Sequence, residues 1–283
     1  MPRPALHDTL RDFNRTMPIL LLAMLVVPAS FSIAGEKPKA SVKDHPLPEK
    51  TRKMMTDAWK QQVAELTKQI EQQPKRVGFY SRRADAHFFL GNFDKAVADY
   101  EKMVELDKSL DTSHWRRGIA WFYAKNFKQA AHQFEIYDSF DNVDRENGIW
   151  RFFSQARAYG IKKARQGLLK YKKDDREPFP SVYKLFSETI KPEKILADIK
   201  AAKISDSERE KRYFYAQLYI GLDHAIHDRN KKAVVHLREA VGNTWGPRAG
   251  FGPHYMWQVG RLHYELLTAK ATKDAKSSKS PKP

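Results

Sequence analysis

The sequence predicts an all-α protein built as a helical solenoid. Three observations carry this. Apolar residues recur with a helical period from residue 51 to residue 269. Strand signals are nearly absent: valine and isoleucine are scattered, and turn dipeptides at hairpin spacing are missing. Most decisively, three residue columns recur every 34 residues.

Ala96, Ala130 and Ala164 set the register of that repeat. Phe93, Phe127 and Ile161 stand three residues before them, and Tyr100, Phe134 and Leu168 four after. A small residue twelve positions before the alanine, Ala84 or Gly118, lets the first helix of a unit approach the second. The alanine lies at the close crossing, where a larger side chain forces the helices apart. The third unit departs at one point: Phe152 fills the small-residue slot, so this unit is degenerate.

The elements follow in chain order. Residues 1–34 read as a signal peptide: Arg3, Arg11 and Arg15 precede the apolar run Met17 to Val27, Pro28 breaks it, and Ser32 and Ala34 suit cleavage before Gly35. The run falls short of the roughly 20 apolar residues of a membrane helix. An uncleaved anchor is the alternative. Both readings place the bulk of the chain outside the cytoplasm, periplasmic or extracellular. Residues 35–50, rich in Pro and Lys, read as a flexible linker. "TRKMMTDAWKQQVAELTKQIEQQ" predicts an N-terminal capping helix, and the three 34-residue units follow. "SVYKLFSET" and "PEKILADIKAAK" predict an inserted helix pair, Pro192 suiting a first helical turn. Gly221, Ala233, Leu237 and Ala240 restate the spacing as a fourth unit. "GPHYMWQVGRLHYELL" predicts a C-terminal helix covering the open end of the stack, since an uncapped end exposes an apolar face. The solenoid thus spans 51–269, and residues 270–283 read as a basic disordered tail.

Composition narrows the function. Lys and Arg outnumber Asp and Glu by 51 to 34, a formal charge of +17, which favours acidic partners. The chain has no cysteine, which removes disulfides, thiolate metal sites and a cysteine nucleophile. No G-x-S-x-G element and no phosphate-binding glycine loop occur; "GPRAGFG" follows a helix rather than a strand. No cofactor is expected. "KKDDREPFP" reads as a solvated loop. His224 and His227 share a helical face, but a zinc site needs a third ligand and no HExxH is present.

The 34-residue period is that of the tetratricopeptide repeat (TPR), and the predicted fold is similar to TPR proteins. The order "HWRRGIAWFYAKNFKQAAHQFE", then "IWRFF", then a helical insertion, then "FYAQLYIG", resembles the NlpI-like envelope proteins of bacteria over residues 78–245. This resemblance implies a periplasmic adaptor, often dimeric, that brings proteases and peptidoglycan hydrolases together, and a binding scaffold rather than an enzyme. Proteins of that group are anchored through an N-terminal cysteine. Its absence here points to a soluble, signal-cleaved form.

Solenoids bind along a concave face lined by the first helix of each unit. The register places Arg82, Asp85, Phe89, Trp115, Arg116, Tyr123, Trp150, Arg157 and Tyr219 inward, as a candidate groove for another protein or peptide. The competing reading makes the aromatics core between neighbouring helices. Two other functions are carried beside the adaptor: a metal-assisted hydrolase using the C-terminal histidines, and a binder of anionic envelope polymer. Nucleic acid is disfavoured by the export signal and by the scatter of the basic residues. The stretch "FDNVDRENGIWRFF" resembles an active-site loop in composition, yet the register makes it a repeat boundary. Asp141 or Asn142 then caps the following helix, and Asp144 and Glu146 suit its positive end.

Overall fold

The computed structural model describes residues 45–173 and 175–277, with side chains described as far as residue 271. Among these residues there are twelve α-helices and no strand: α1 (Glu49–Gln72), α2 (Val77–Phe89), α3 (Phe93–Leu106), α4 (Trp115–Tyr123), α5 (Phe127–Tyr137), α6 (Arg145–Tyr159), α7 (Ile161–Gln166), α8 (Phe179–Tyr183), α9 (Pro192–Ala201), α10 (Asp206–Ile226), α11 (Asn230–Gly242) and α12 (Phe251–Ser277). The fold is an all-α, TPR-like solenoid. Units one to four are α2/α3, α4/α5, α6/α7 and α10/α11, with α8 and α9 inserted before the fourth. The proposed signal peptide and most of the linker lie outside the described residues. None of the described helices is long and apolar enough to cross a membrane.

The small-residue columns act as the register requires. A Cβ on Gly118 would sit 2.7 Å from the Phe134 ring, and one on Gly221 would sit 2.7 Å from Leu237 Cγ. Each of these pairs is sixteen residues apart, as are the fully buried Ala84 and Tyr100 of unit one. The crossing is close enough that a Cβ at 118 or 221 forces a neighbour to shift, whereas unit one accommodates Ala84.

The turns repeat as well. Three units close their first helix with the same pair of backbone bonds. Gly91 N, Lys125 N and Asp228 N donate to Phe88 O, Phe122 O and Ala225 O at 2.9, 3.1 and 3.1 Å. Asn92 N, Asn126 N and Arg229 N donate to His87 O, Trp121 O and His224 O at 2.9, 2.8 and 2.9 Å. This double closure needs a left-handed residue just past the helix. Gly91 supplies it without strain at φ 77°, whereas Lys125 and Asp228 adopt φ 65° and 57° at some conformational cost.

Unit three breaks the pattern. Its second helix stops at Gln166, so Leu168 packs from an irregular segment instead of a helix. Phe152, the large residue in the small slot, meets Phe186 of the insertion at 5.2 Å. The anomaly and the insertion are one feature: the truncated helix leaves room that Phe152 and Phe186 fill.

The ends differ from expectation in detail. Helix α1 begins at Glu49, two residues inside the presumed linker. Helix α12 runs on to Ser277, into the stretch read as a disordered tail, because alanine and lysine sustain a helix without an apolar stripe. Its first half also does more than cover an end. Every residue from Tyr255 to Leu262 is buried, the mark of a helix enclosed on all sides.

Replacing Gly221 by valine should drive Cγ atoms into Leu237. Urea unfolding should show a loss of about 1–3 kcal/mol, while the same change at Gly250, where a Cβ meets nothing within 4 Å, should cost far less.

Candidate functional site

The candidate site is the wall formed by the first helices of the units. Helix α12 lies across α2 and α4 of that wall. Tyr255 stacks on Phe88 with ring centroids 5.1 Å apart, and meets Phe89 at 5.3 Å and Trp115 at 5.0 Å. Further along, His263 Nδ1 lies 3.0 Å from the Tyr123 hydroxyl, and Arg261 donates to Phe89 O at 2.5 Å. Arg261 also stacks over Trp59 of α1, 4.9 Å away, and donates to Glu265 at 2.7 Å. On the opposite side Trp257 Nε1 donates to Val241 O of α11 at 3.0 Å.

The nine groove residues therefore divide. Asp85, Phe89, Tyr123, Trp150 and Tyr219 are buried. Phe89 and Tyr123 touch α12. Trp150 sits among Phe122, Phe134 and Phe153, away from solvent. Tyr219 donates from its hydroxyl to Glu146 across the gap between units four and three. These five reach a partner only where α12 or a neighbouring helix gives way. Arg82, Trp115 and Arg116 are half-buried, and Arg157 is at the surface. Arg157 spends its donors locally, on Ala225 O at 3.0 Å and Asp228 at 3.6 Å.

Arg116 is the best-held cation of the set. Its Nη1 donates to both oxygens of Asp85 at 2.7 and 2.8 Å, and its Nη2 to Ser81 Oγ at 3.1 Å. Tyr100 donates to the same carboxylate at 2.6 Å. Burial works against the charged guanidinium, and the adjoining Asp85 more than offsets it, so Arg116 stays protonated. Its guanidinium lies 5.1 Å from the ring of Phe251 at the start of α12. Phe251 is 46% exposed and stands 6.4 Å from Trp115. Arginine and aromatic rings thus come together at one edge of the wall, and the rest of the wall is covered.

Several participants were not read from the sequence: Phe251, Tyr255, Arg261 and His263 of α12, and Asp175 and Arg176 of the insertion. The "KKDDREPFP" stretch is no simple solvated loop. Asp175 Oδ2 accepts the Arg145 backbone N–H at 3.0 Å, and Arg176 stacks 4.3 Å from Phe179. The signal available was an arginine followed within three residues by a phenylalanine. The cap of α6 also differs: Asp144 accepts the Glu146 N–H at 3.0 Å, while Asp141 accepts those of Val143 and Asp144 in the preceding turn.

The C-terminal histidines do not assemble a metal centre. The His224 ring faces His236 at 5.3 Å, and His227 Nδ1 lies 2.8 Å from Asp223 O. Among the described residues no three His, Asp or Glu side chains are placed to hold a metal ion.

Comparison with known proteins bears on this geometry. A tetratricopeptide-repeat profile matches residues 77–110, which is unit one. Human protein SGT1 homolog is 38% identical over 89 residues, 31% of this chain and 24% of that protein. The wheat Hsp70-Hsp90 organizing protein is 28% identical over 131 residues, 44% of this chain and 22% of that protein. Serine/threonine-protein phosphatase T of Aspergillus oryzae is 33% identical over 78 residues, 28% of this chain and 16% of that protein. The chain spans under a quarter of the length of each of these three relatives. They are eukaryotic proteins, not bacterial envelope adaptors.

Asp85→Ala should strand Arg116 in a site where the two side chains are only 11% and 12% exposed. Chemical denaturation should report a loss of about 3–5 kcal/mol. His263 gives a second test. Burial, and then the charge of Arg157, push its imidazole down to about 4 from the ordinary 6.5. The unfolded chain therefore binds this proton more readily, and stability falls as pH drops from 6.5 towards 4. His263→Gln should flatten that part of a thermal-melt series against pH.

Proposed function

We propose that the chain is a protein-binding helical-repeat adaptor whose docking face is the uncovered edge of the wall at the N-terminus of α12. The observation that carries this reading is the grouping of Phe251, Trp115 and Arg116. An exposed aromatic ring stacks there on an arginine already fixed by Asp85 and Ser81. Tryptophan, tyrosine and arginine dominate the energetics of protein interfaces, especially where they are held in place before binding. Arg82, in the column equivalent to Arg116, belongs to the same proposed face.

The kinship supports an adaptor role without fixing a partner. By its name, the wheat relative organises Hsp70 and Hsp90. The phosphatase relative matches over 28% of this chain and 16% of its own length, and the proposal is a non-enzymatic scaffold. Export, and with it a place in a bacterial envelope, rests on the leader-like residues 1–34 and remains part of this proposal. In that setting the basic surface adds attraction to anionic polymer. Lys162, Lys170, Lys172 and Lys173 are exposed, and none makes an ion pair with a described carboxylate. A homodimer is carried only by the resemblance.

The test is site-specific photo-crosslinking in native extract, with the reactive side chain at position 251 or, as a control, at the exposed position 60 of α1. A partner band specific to position 251 is expected. Arg82→Glu and Trp115→Ala should each weaken it, with loss of about 2 kcal/mol at a true hot spot. Identical bands from both positions would remove this face as the docking site.

A further inference from the structure

The positive charge of the chain is unevenly spread. Residues 161–173 hold Lys162, Lys163, Arg165, Lys170, Lys172 and Lys173 and no acid, within a chain of net charge +17. This stretch comprises α7 and the irregular segment that replaces the rest of unit three's second helix. It runs back along α6, antiparallel to it. Ile161 follows closely on Tyr159 at the end of α6, Gly167 lies against Gln155, and the Tyr171 hydroxyl packs at Gly148. From 159 back to 148 helix α6 covers about 17 Å, at roughly 1.5 Å per residue.

The underside of the stretch is fixed. Ala164 is fully buried and Leu168 packs on the core. Tyr171 donates to Asp144 O at 3.3 Å, Arg145 lies over its ring at 4.9 Å, and Tyr183 donates to Leu169 O at 3.2 Å. The exposed positions are 162, 163, 166, 170, 172 and 173, which are five lysines and Gln166. The arginines nearby are spent inside the fold. Arg165 donates to Phe186 O at 3.2 Å and to Glu188 at 2.7 Å. Arg176 lies 3.3 Å from Asp144 Oδ1, 2.5 Å from Glu146 Oε2 and 3.1 Å from Asp175 Oδ1. The lysines are not used in this way. Lys163 sits 4.8 Å from the Tyr159 ring, and the other four make no ion pair with a described carboxylate.

We propose that this lysine ridge binds a linear phosphate polymer along its length, through charge alone. An ammonium group is a compact point charge that suits phosphate oxygens. A protein partner needs apolar or aromatic anchors, and the ridge exposes none between 162 and 173. Recognition of bases needs free arginines or open aromatic platforms. Here the arginines are engaged, and the ring at the end of the ridge, Tyr159, already carries Lys163. Exposed carboxylates border the ridge on the sides of both neighbours. Glu135 of unit two, 61% exposed, shares a shallow cleft with Lys163, and Glu188 of the insertion, 64% exposed, adjoins Arg165. A flat anionic membrane presses on both carboxylates, whereas a single chain passes between them. The inference goes beyond the adaptor reading and rests on neither export nor the edge at Phe251.

Fluorescence anisotropy of the intact chain with a short labelled polyphosphate tests the ridge. Affinity should fall steeply as salt rises from about 50 to about 200 mM. Lys170→Gln/Lys172→Gln/Lys173→Gln should lower the slope of log affinity against log salt by about 2, at roughly 0.7 per lysine, and Lys162→Gln/Lys163→Gln by about 1.4. Removing the same charge from exposed positions of α1, as Lys50→Gln/Lys60→Gln/Lys68→Gln, should leave the slope within about 0.5 of wild type. So should Trp115→Ala, which touches only the proposed docking edge. An oligothymidylate with the same number of phosphates should bind within about threefold of polyphosphate, because only the backbone charge is read. Polyglutamate and phosphatidylserine vesicles should compete at least about tenfold less well. An equal loss from the α1 variant overturns the proposal, since binding then follows net charge and not the ridge. A thymidylate preferred about tenfold overturns it in favour of base recognition. Competition by polyglutamate or by vesicles as strong as that by polyphosphate gives the ridge to an acidic protein or to a membrane.

Discussion

Tyr255 rests face to face on Phe88 while its edge meets Trp115, and its hydroxyl lies 3.3 Å from that of Tyr100. Through those rings one side chain of the last helix touches both helices of unit one and the first helix of unit two. The rest of the architecture is arranged around this contact. Helix α12 can lie so deep because the first helices stack in register, and Ala84, Gly118 and Gly221 bring the paired helices of units one, two and four together. Arg116 and Asp85 then find each other beside the hydroxyl of Tyr100, in a pocket that the last helix roofs. Packing decides the position of the charges here, since an ion pair in such a setting specifies geometry more than it stabilises.

Unit three shows what happens when the packing rule is suspended. Phe152 cannot occupy a close helix crossing, and the second helix ends after six residues. The chain compensates with aromatic contacts to the insertion and with the carboxylate cluster around Arg176. A polar group of this kind is costly to bury and demands full satisfaction. Its position where the repeat fails is consistent with that demand: the backbone there has no regular ladder, and side chains supply the missing partners.

The columns at 84, 96, 100 and their successors were legible because a close crossing admits few side chains, so the constraint is written at single positions. The candidate wall was legible for the same reason; the register sends Phe89, Trp115 and Tyr123 to one side. Its occupant was not. A segment such as Tyr255 to Leu262, mainly apolar but carrying Gln258 and Arg261, looks alike in sequence whether it closes the end of a stack or fills its interior. The pairing of Arg176 with Asp144 and Glu146 was hidden too, because it spans some thirty residues of irregular chain and no periodicity links its members. Phe152 was visible as an exception, and its meaning needed Phe186.

Helix α12 carries one more consequence, for the way the chain folds. An open solenoid joins each repeat to its neighbours alone, and can come apart piecemeal from either end. Here Arg261 bonds to Phe89 across 172 positions of sequence, and Tyr255 reaches Tyr100 across 155. Such remote pairings must wait for the intervening chain to be laid down, which slows the search. They also bind the fate of the first unit to that of the last, so the array melts as one body where a linear stack would fray.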